Sequence, residues 1–130
     1  MANWCELTVD EEFLTQDEQA WFVFGDNTIR RGYGGAAQLR DHPRAYGFIT
    51  KKFPDNRDTS FYDVAEYRPV FVQELERLKV LVSNHPTKQY YISRLGCGLA
   101  NRYGIWELVL KPGLEEELAE FNNVTFLWKN

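Results

Sequence analysis

The feature that most constrains this chain is a run of four apolar residues, Trp21-Phe22-Val23-Phe24, stopped by Gly25-Asp26-Asn27. No polar residue alternates through the run, so it has no face to offer to water. It reads as a strand buried on both faces, the environment of a sheet held between helices. Ala45-Tyr46-Gly47-Phe48-Ile49-Thr50 is a second strand, with Lys51-Lys52 at its end. Gln89-Tyr90-Tyr91-Ile92-Ser93 is a third, and Val124-Thr125-Phe126-Leu127-Trp128, after the turn residues Asn122-Asn123, a fourth. Glu6–Val9 makes a weaker fifth.

Helical patterns separate these runs. Phe71, Leu75, Leu78 and Val82 recur at three- and four-residue steps and give one apolar stripe. The spacing predicts a helix from about Tyr67 to Ser83, with Pro69 in its first turn and Asn84 and Pro86 stopping it. Gly35–Arg40 reads as the opening of a second helix. Ile105–Leu110 and Leu114–Phe121 read as two shorter ones, parted by Pro112-Gly113, with Glu115-Glu116-Glu117 as an exposed first turn. Strands alternating with helices predict a layered α/β fold with a largely buried sheet. The 130 residues fit one domain spanning 1–130. A chain of this size buries roughly two-thirds of its unfolded surface and needs no metal or disulfide to stay folded. The aromatic content of 15 % supports a packed core rather than disorder.

Charge and composition narrow the function classes. A net charge of -4 gives no global attraction to nucleic acid or to an anionic membrane. No apolar run approaches the roughly 20 residues of a membrane span. The opening residues lack the basic start and apolar stretch of a secretory signal, so the chain reads as cytoplasmic. Cys5 and Cys97 make no metal-ligand pattern and read as reduced thiols. No cluster of His, Cys and carboxylate has metal spacing, and no bound cofactor is implied.

Two segments are rich in glycine. The first, Gly32-Tyr33-Gly34-Gly35-Ala36-Ala37, lies between the first strand and a helix-like stretch. Closely spaced glycines allow the backbone to approach a ligand and let successive N–H groups point into one concavity, a field suited to a diphosphate. The same cluster also reads as a tight turn, and spacing alone leaves both readings open. It is neither a P-loop nor a dinucleotide fingerprint. The second segment, Arg94-Leu95-Gly96-Cys97-Gly98-Leu99-Ala100, follows the third strand. Two such loops at the carboxyl ends of strands would clamp one anionic ligand between them.

The stretch Ile92-Ser93-Arg94-Leu95-Gly96-Cys97-Gly98-Leu99, with Trp106-Glu107 beyond it, resembles the second phosphate loop of macro domains. It looks most like the small ADP-ribose-binding and deacylating branch. Phe22-Val23-Phe24-Gly25-Asp26-Asn27, with Gly34-Gly35-Ala36-Ala37 and Gly47-Phe48-Ile49-Thr50-Lys51, is similar to short macro-like proteins of bacteria and phages. The resemblance covers about Trp21–Trp106. It implies a three-layer α/β/α macro-like fold, with a mostly parallel or mixed central sheet, that binds ADP-ribose or a related NAD-derived nucleotide. Gly34, Gly35, Ala36, Gly96, Cys97 and Gly98 would line the diphosphate, flanked by Gly32, Tyr33 and Leu99. Asn27 would lie near the distal ribose, and Asp26 near a ribose hydroxyl or the adenine amine. The deacylating branch has an Asp after Gly-Cys-Gly-Leu, where this chain has Ala100, so the catalytic residues of any turnover are unknown. The strand carrying Gly-Asp-Ile or Gly-Asp-Leu that opens the family fold is not evident before Trp21.

The remaining candidates carry weaker signals. Arg30, Arg31, Arg40, Arg44, Lys51 and Lys52 cluster around the first loop and read either as phosphate contacts or as a solvated basic stretch. Arg94 is the basic residue expected nearest a ligand. His42 and His85 each precede a proline and read as turn residues. Tyr33 and Tyr103 would stack on a base or pack within their loops. The leading expectation is a binder of an ADP-ribose-like small molecule, with an ADP-ribosylated macromolecule as a further partner class and with nucleic acid and membrane disfavoured. A hydrolase of ADP-ribose derivatives and a non-catalytic protein-interaction module are the alternatives.

Overall fold

A computed structural model describes residues 1–130. In chain order the elements are β1 (Asn3–Trp4), α1 (Glu11–Gln16), β2 (Ala20–Asn27), β3 (Ala45–Lys51), α2 (Val64–Asn84), β4 (Gln89–Ile92), α3 (Lys111–Glu117) and β5 (Val124–Phe126). The five strands form one sheet in the order β1-β5-β4-β2-β3, and every pairing is parallel. β2 lies between β3 and β4, with Phe22 beside Ala45 on one side and Tyr91 on the other. Both of its edges are paired and both of its faces are covered, and the covered faces are why its apolar run shows no alternation.

The two faces of β2 pack against different helices. Val23 joins a core with Phe71, Leu75 and Leu78 of α2 and Leu110 and Leu114 around α3. Phe22 and Phe24 join a smaller core with Leu14 of α1, Ala37 and Leu127. The result is the three-layer α/β/α arrangement expected from the sequence, with a sheet that is wholly parallel. No helix is long and apolar enough to cross a membrane.

Several local readings need correction. Residues Glu6–Val9 form no strand, and the first strand is the shorter Asn3–Trp4, paired with Thr125 and Phe126. α1 was not expected. Its signal is Asp10, whose carboxylate accepts from the Phe13 N–H at 2.8 Å as an N-cap. α2 starts at Val64, one turn before the Tyr67 start that the spacing predicts. Asp63 and Glu66 cap each other's backbone N–H groups, so Pro69 falls inside the helix rather than in its first turn. The segment Gly35–Leu39 closes only a 3₁₀ turn. Residues 105–117 are not split at Pro112-Gly113. A wide turn over Trp106–Leu110, ended by the Lys111 N–H donating to the Trp106 carbonyl, runs directly into α3. Pro112 is tolerated there because it enters in the first turn of α3, where a missing N–H is not needed. Glu115, Glu116 and Glu117 accordingly form the last turn of α3, not its first.

Glu115 holds the edge of the sheet together. Its Oε2 accepts from the indole N–H groups of Trp4 at 3.0 Å and Trp128 at 3.1 Å, and its Oε1 from the Lys111 ammonium at 3.1 Å. Partial burial pushes its pKa up, but these three donors outweigh that and leave it below the usual glutamate value. A carboxylate with a depressed folded-state pKa adds stability above its unfolded value, and that stability drains away as the pH falls through the folded one. Glu115→Gln is therefore expected to cost about 1.5 kcal/mol at pH 7, the low end of the scale for hydrogen bonds to a charged group. Urea denaturation should show the gap between variant and parent closing as the pH falls below the ordinary value of 4.5. An equal gap at pH 7 and pH 3.5 would refute this role for the charge.

Candidate functional site

Neighbouring strands β2 and β4 hand the chain in opposite directions. β2 leads to β3 through residues 28–44, whose 3₁₀ turn packs through Ala37 on the Phe22 and Phe24 face. β4 leads to β5 through residues 93–123, which pack on the Val23 face. Their carboxyl ends thus flank a topological switch point, where two loops diverge and leave a crevice between them. A cleft of about 750 Å³ opens there.

One wall of the cleft is Gly32 and Gly34–Gln38, and the facing wall is Arg94 and Gly96–Ala100. Gly25, Asp26, Asn27, Thr50 and Lys51 form the floor. Of the residues anticipated for the site, Asp26, Asn27, Gly32, Gly34, Gly35, Ala36, Arg94, Gly96, Cys97, Gly98 and Leu99 all line it. Tyr33 does not. It is exposed and its hydroxyl donates to Asp41 at 3.0 Å, which raises its pKa.

The glycines serve different ends. Gly96 has φ +72°, and a Cβ there would collide with the Leu110 side chain, so this glycine is required by the fold. Gly34 has an ordinary φ of −75°, and a Cβ there would meet nothing within 4 Å. Its small size is not demanded by the protein around it. What it leaves open is space in the cleft.

The polar floor is braced by the protein itself. Asp26 is buried at the end of β2. Its Oδ1 lies 2.7 Å from the Arg40 guanidinium and accepts from the Asn27 N–H, while its Oδ2 accepts from Arg30 at 3.1 Å. Arg40 also donates to the carbonyls of Gly32 at 2.8 Å and Arg31 at 3.2 Å, and lies over the Phe24 ring. The Asn27 amide donates to the Arg31 carbonyl at 2.7 Å and accepts from the Ile29 N–H at 3.2 Å. Asp26 and Asn27 therefore shape the first glycine loop, and their polar atoms are already engaged in doing so.

The basic cluster divides by role. Arg44 donates to the carbonyls of Leu14, Asp17 and Ala20 and ties α1 to β2. Lys52 pairs with Glu66 at 2.7 Å. Arg31 and Arg94, by contrast, line the cleft with side chains that make no hydrogen bond or ion pair to the protein. Lys51 lies over the Phe61 ring at 4.9 Å, and partial burial lowers its pKa, offset in part by Asp55. Arg31 and Lys51 belong to the basic cluster read from the sequence as phosphate contacts or a solvated stretch. Thr50 was not expected at the site, and the strand pairing that sets Asn27 beside Lys51 brings it into the floor.

His42 and His85 are turn residues as expected. His42 accepts from the Arg44 N–H, and His85 ends α2 with its ring nitrogen 2.8 Å from the Leu81 carbonyl. Cys5 and Cys97 are free thiols, and Cys97 is half-buried in the cleft wall. No group of three or more His, Cys, Asp or Glu is arranged to hold a metal ion.

The fold and cleft can be set beside known proteins. Over residues 5–101 the chain matches the model of a family of unknown function, DUF7831, and it belongs to that family. The matched stretch holds both glycine loops and every cleft-lining residue except Leu127. No curated protein and no solved structure matches the chain.

The brace at Asp26 is open to direct test. Removing one member of a buried charge cluster leaves the others desolvated and unpaired. Asp26→Ala should cost about 2–3 kcal/mol in chemical denaturation, somewhat below the fully buried case because Arg30 is partly exposed. A loss under about 0.5 kcal/mol would mean the arginines do not depend on it.

Proposed function

We propose that the cleft binds ADP-ribose or a related NAD-derived nucleotide diphosphate in the manner of a macro-like domain. The observation that carries this reading is the pair of glycine loops from adjacent parallel strands facing each other across one crevice. Backbone N–H groups in such loops favour an anion held close to the main chain. Unpaired Arg31 on one side and Arg94 on the other add charge for a diphosphate. Gly34 supports the same reading, since it keeps clear a volume the fold has no need to keep clear.

The reading is of a binder rather than a hydrolase. Asp26 is the only carboxylate that lines the cleft, and both its oxygens are held by arginines. At Ala100, where the deacylating macro domains carry Asp, there is no group to take a proton from water. An ADP-ribosylated macromolecule is the matching larger partner, because the cleft is open at the surface.

Ligand binding to the folded state alone raises stability by about 2.7 kcal/mol at a hundred times the Kd. ADP-ribose titrated into the protein should therefore raise the melting temperature by several degrees. Gly34→Val should abolish that rise while leaving the ligand-free melting temperature within about 2 °C, since its backbone angles suit any residue. If the rise persists in Gly34→Val, the diphosphate does not run past this loop. If neither ADP-ribose nor ADP shifts the parent protein, the reading fails.

A further inference from the structure

The charges that line the cleft are unbalanced. Arg31, Arg40, Lys51 and Arg94 face one carboxylate, Asp26, in a protein whose net charge is -4. Arg40 is consumed by Asp26, together with Arg30 from outside the cleft. Three cations remain without a carboxylate within ion-pair distance, and they come from three different strand ends: Arg31 after β2, Arg94 after β4 and Lys51 at the end of β3. Strand spacing in a sheet is about 4.8 Å, so the span from the end of β4 across β2 to β3 is about 10 Å. The glycine loop reaches over the same ground, since a Cβ at Gly32 would lie 3.7 Å from the Pro54 side chain, just past β3.

A diphosphate clamped between the two glycine loops uses the β2 and β4 side of this span. Lys51 stands one strand further out, beside Asn27 in the register. Its ammonium has the Phe61 ring, an Asn56 amide oxygen at 3.5 Å and the field of Asp55, whose own oxygens are taken by Arg57 and Ser60. None of these is an ion pair in contact, and partial burial already disfavours the charge. An anionic oxygen would supply the missing partner.

Resting on the diphosphate reading above, we infer that the cleft selects a nucleoside diphosphate carrying a further phosphoryl group, and that Lys51 is the residue that recognises it. The added group extends the ligand along the carboxyl edge from β2 toward β3. A neutral ribose end or a hydroxyl in its place leaves the ammonium with no anionic partner. An added charge-assisted contact of this kind is worth about tenfold in affinity.

The test is calorimetric titration of two matched pairs, ADP-ribose against ADP-ribose 2′-phosphate and ADP against ATP. In at least one pair the extra phosphate should tighten binding by about tenfold. In Lys51→Met that ratio should fall to about one, and Lys51→Arg should restore part of it. Circular dichroism of both variants checks that they are folded. If neither pair shows a preference, or the ratio survives in folded Lys51→Met, the inference is wrong while nucleotide binding itself stands. If none of the four ligands binds the parent protein, the diphosphate reading falls and takes this inference with it.

Discussion

The carboxyl edge of the sheet depends on one buried carboxylate. Asp26 closes the central strand at the point where the chain must leave the core, and a bare carboxylate there would be costly. Two arginines from the following loop neutralise it, one four residues on and one from the end of the 3₁₀ turn. In doing so Arg40 gathers the carbonyls of Arg31 and Gly32, so the glycine loop is folded back against the strand it came from. Gly47 makes this possible from the neighbouring strand. A side chain there would occupy the position of the Asp26 carboxylate. One charge thus sets the shape of the first wall of the cleft.

Much of the fold was legible because the strands are short and unusually apolar. A run such as Trp21–Phe24 leaves little choice beyond a strand buried on both sides, and the stripe from Phe71 to Val82 leaves little beyond a helix. The elements without a sequence signal are set by contacts distant in sequence. β1 has only two residues and no pattern of its own; it is a strand because Val124–Phe126 lies alongside. Pro112-Gly113 has the look of a break, yet the wide turn before it lets the helix continue, and Gly113 has no side chain because the Phe71 ring occupies that space. Intrinsic preference at these positions gave way to packing.

The site was legible in a similar, partial way. Both glycine loops were visible as compositional anomalies, and the structure brings them to one crevice. The place of Thr50 in the floor has no sequence signal, because only the pairing of β3 with β2 sets it there. Asp26 and Asn27 drew attention as polar residues at a strand end, and they prove to be occupied in holding the loop. The cleft cations with no carboxylate in contact are Arg94, which the sequence singles out, and Arg31 and Lys51, which the sequence alone does not separate from the structural Arg30, Arg40 and Arg44.

The pairing of β1 with β5 has a consequence for how the domain comes into being. Residues Asn3 and Trp4 hydrogen-bond to a strand more than a hundred positions away, and Glu115 joins the indoles that flank that strand. During synthesis the first strand emerges with no neighbour to receive it. It must wait, as a free segment, until nearly all of the sheet has been translated. Contacts of such long separation close late and slowly. The β1–β5 pairing can therefore close only once β5 exists, and until it does the outer edge of Val124–Phe126 is an unpaired strand edge.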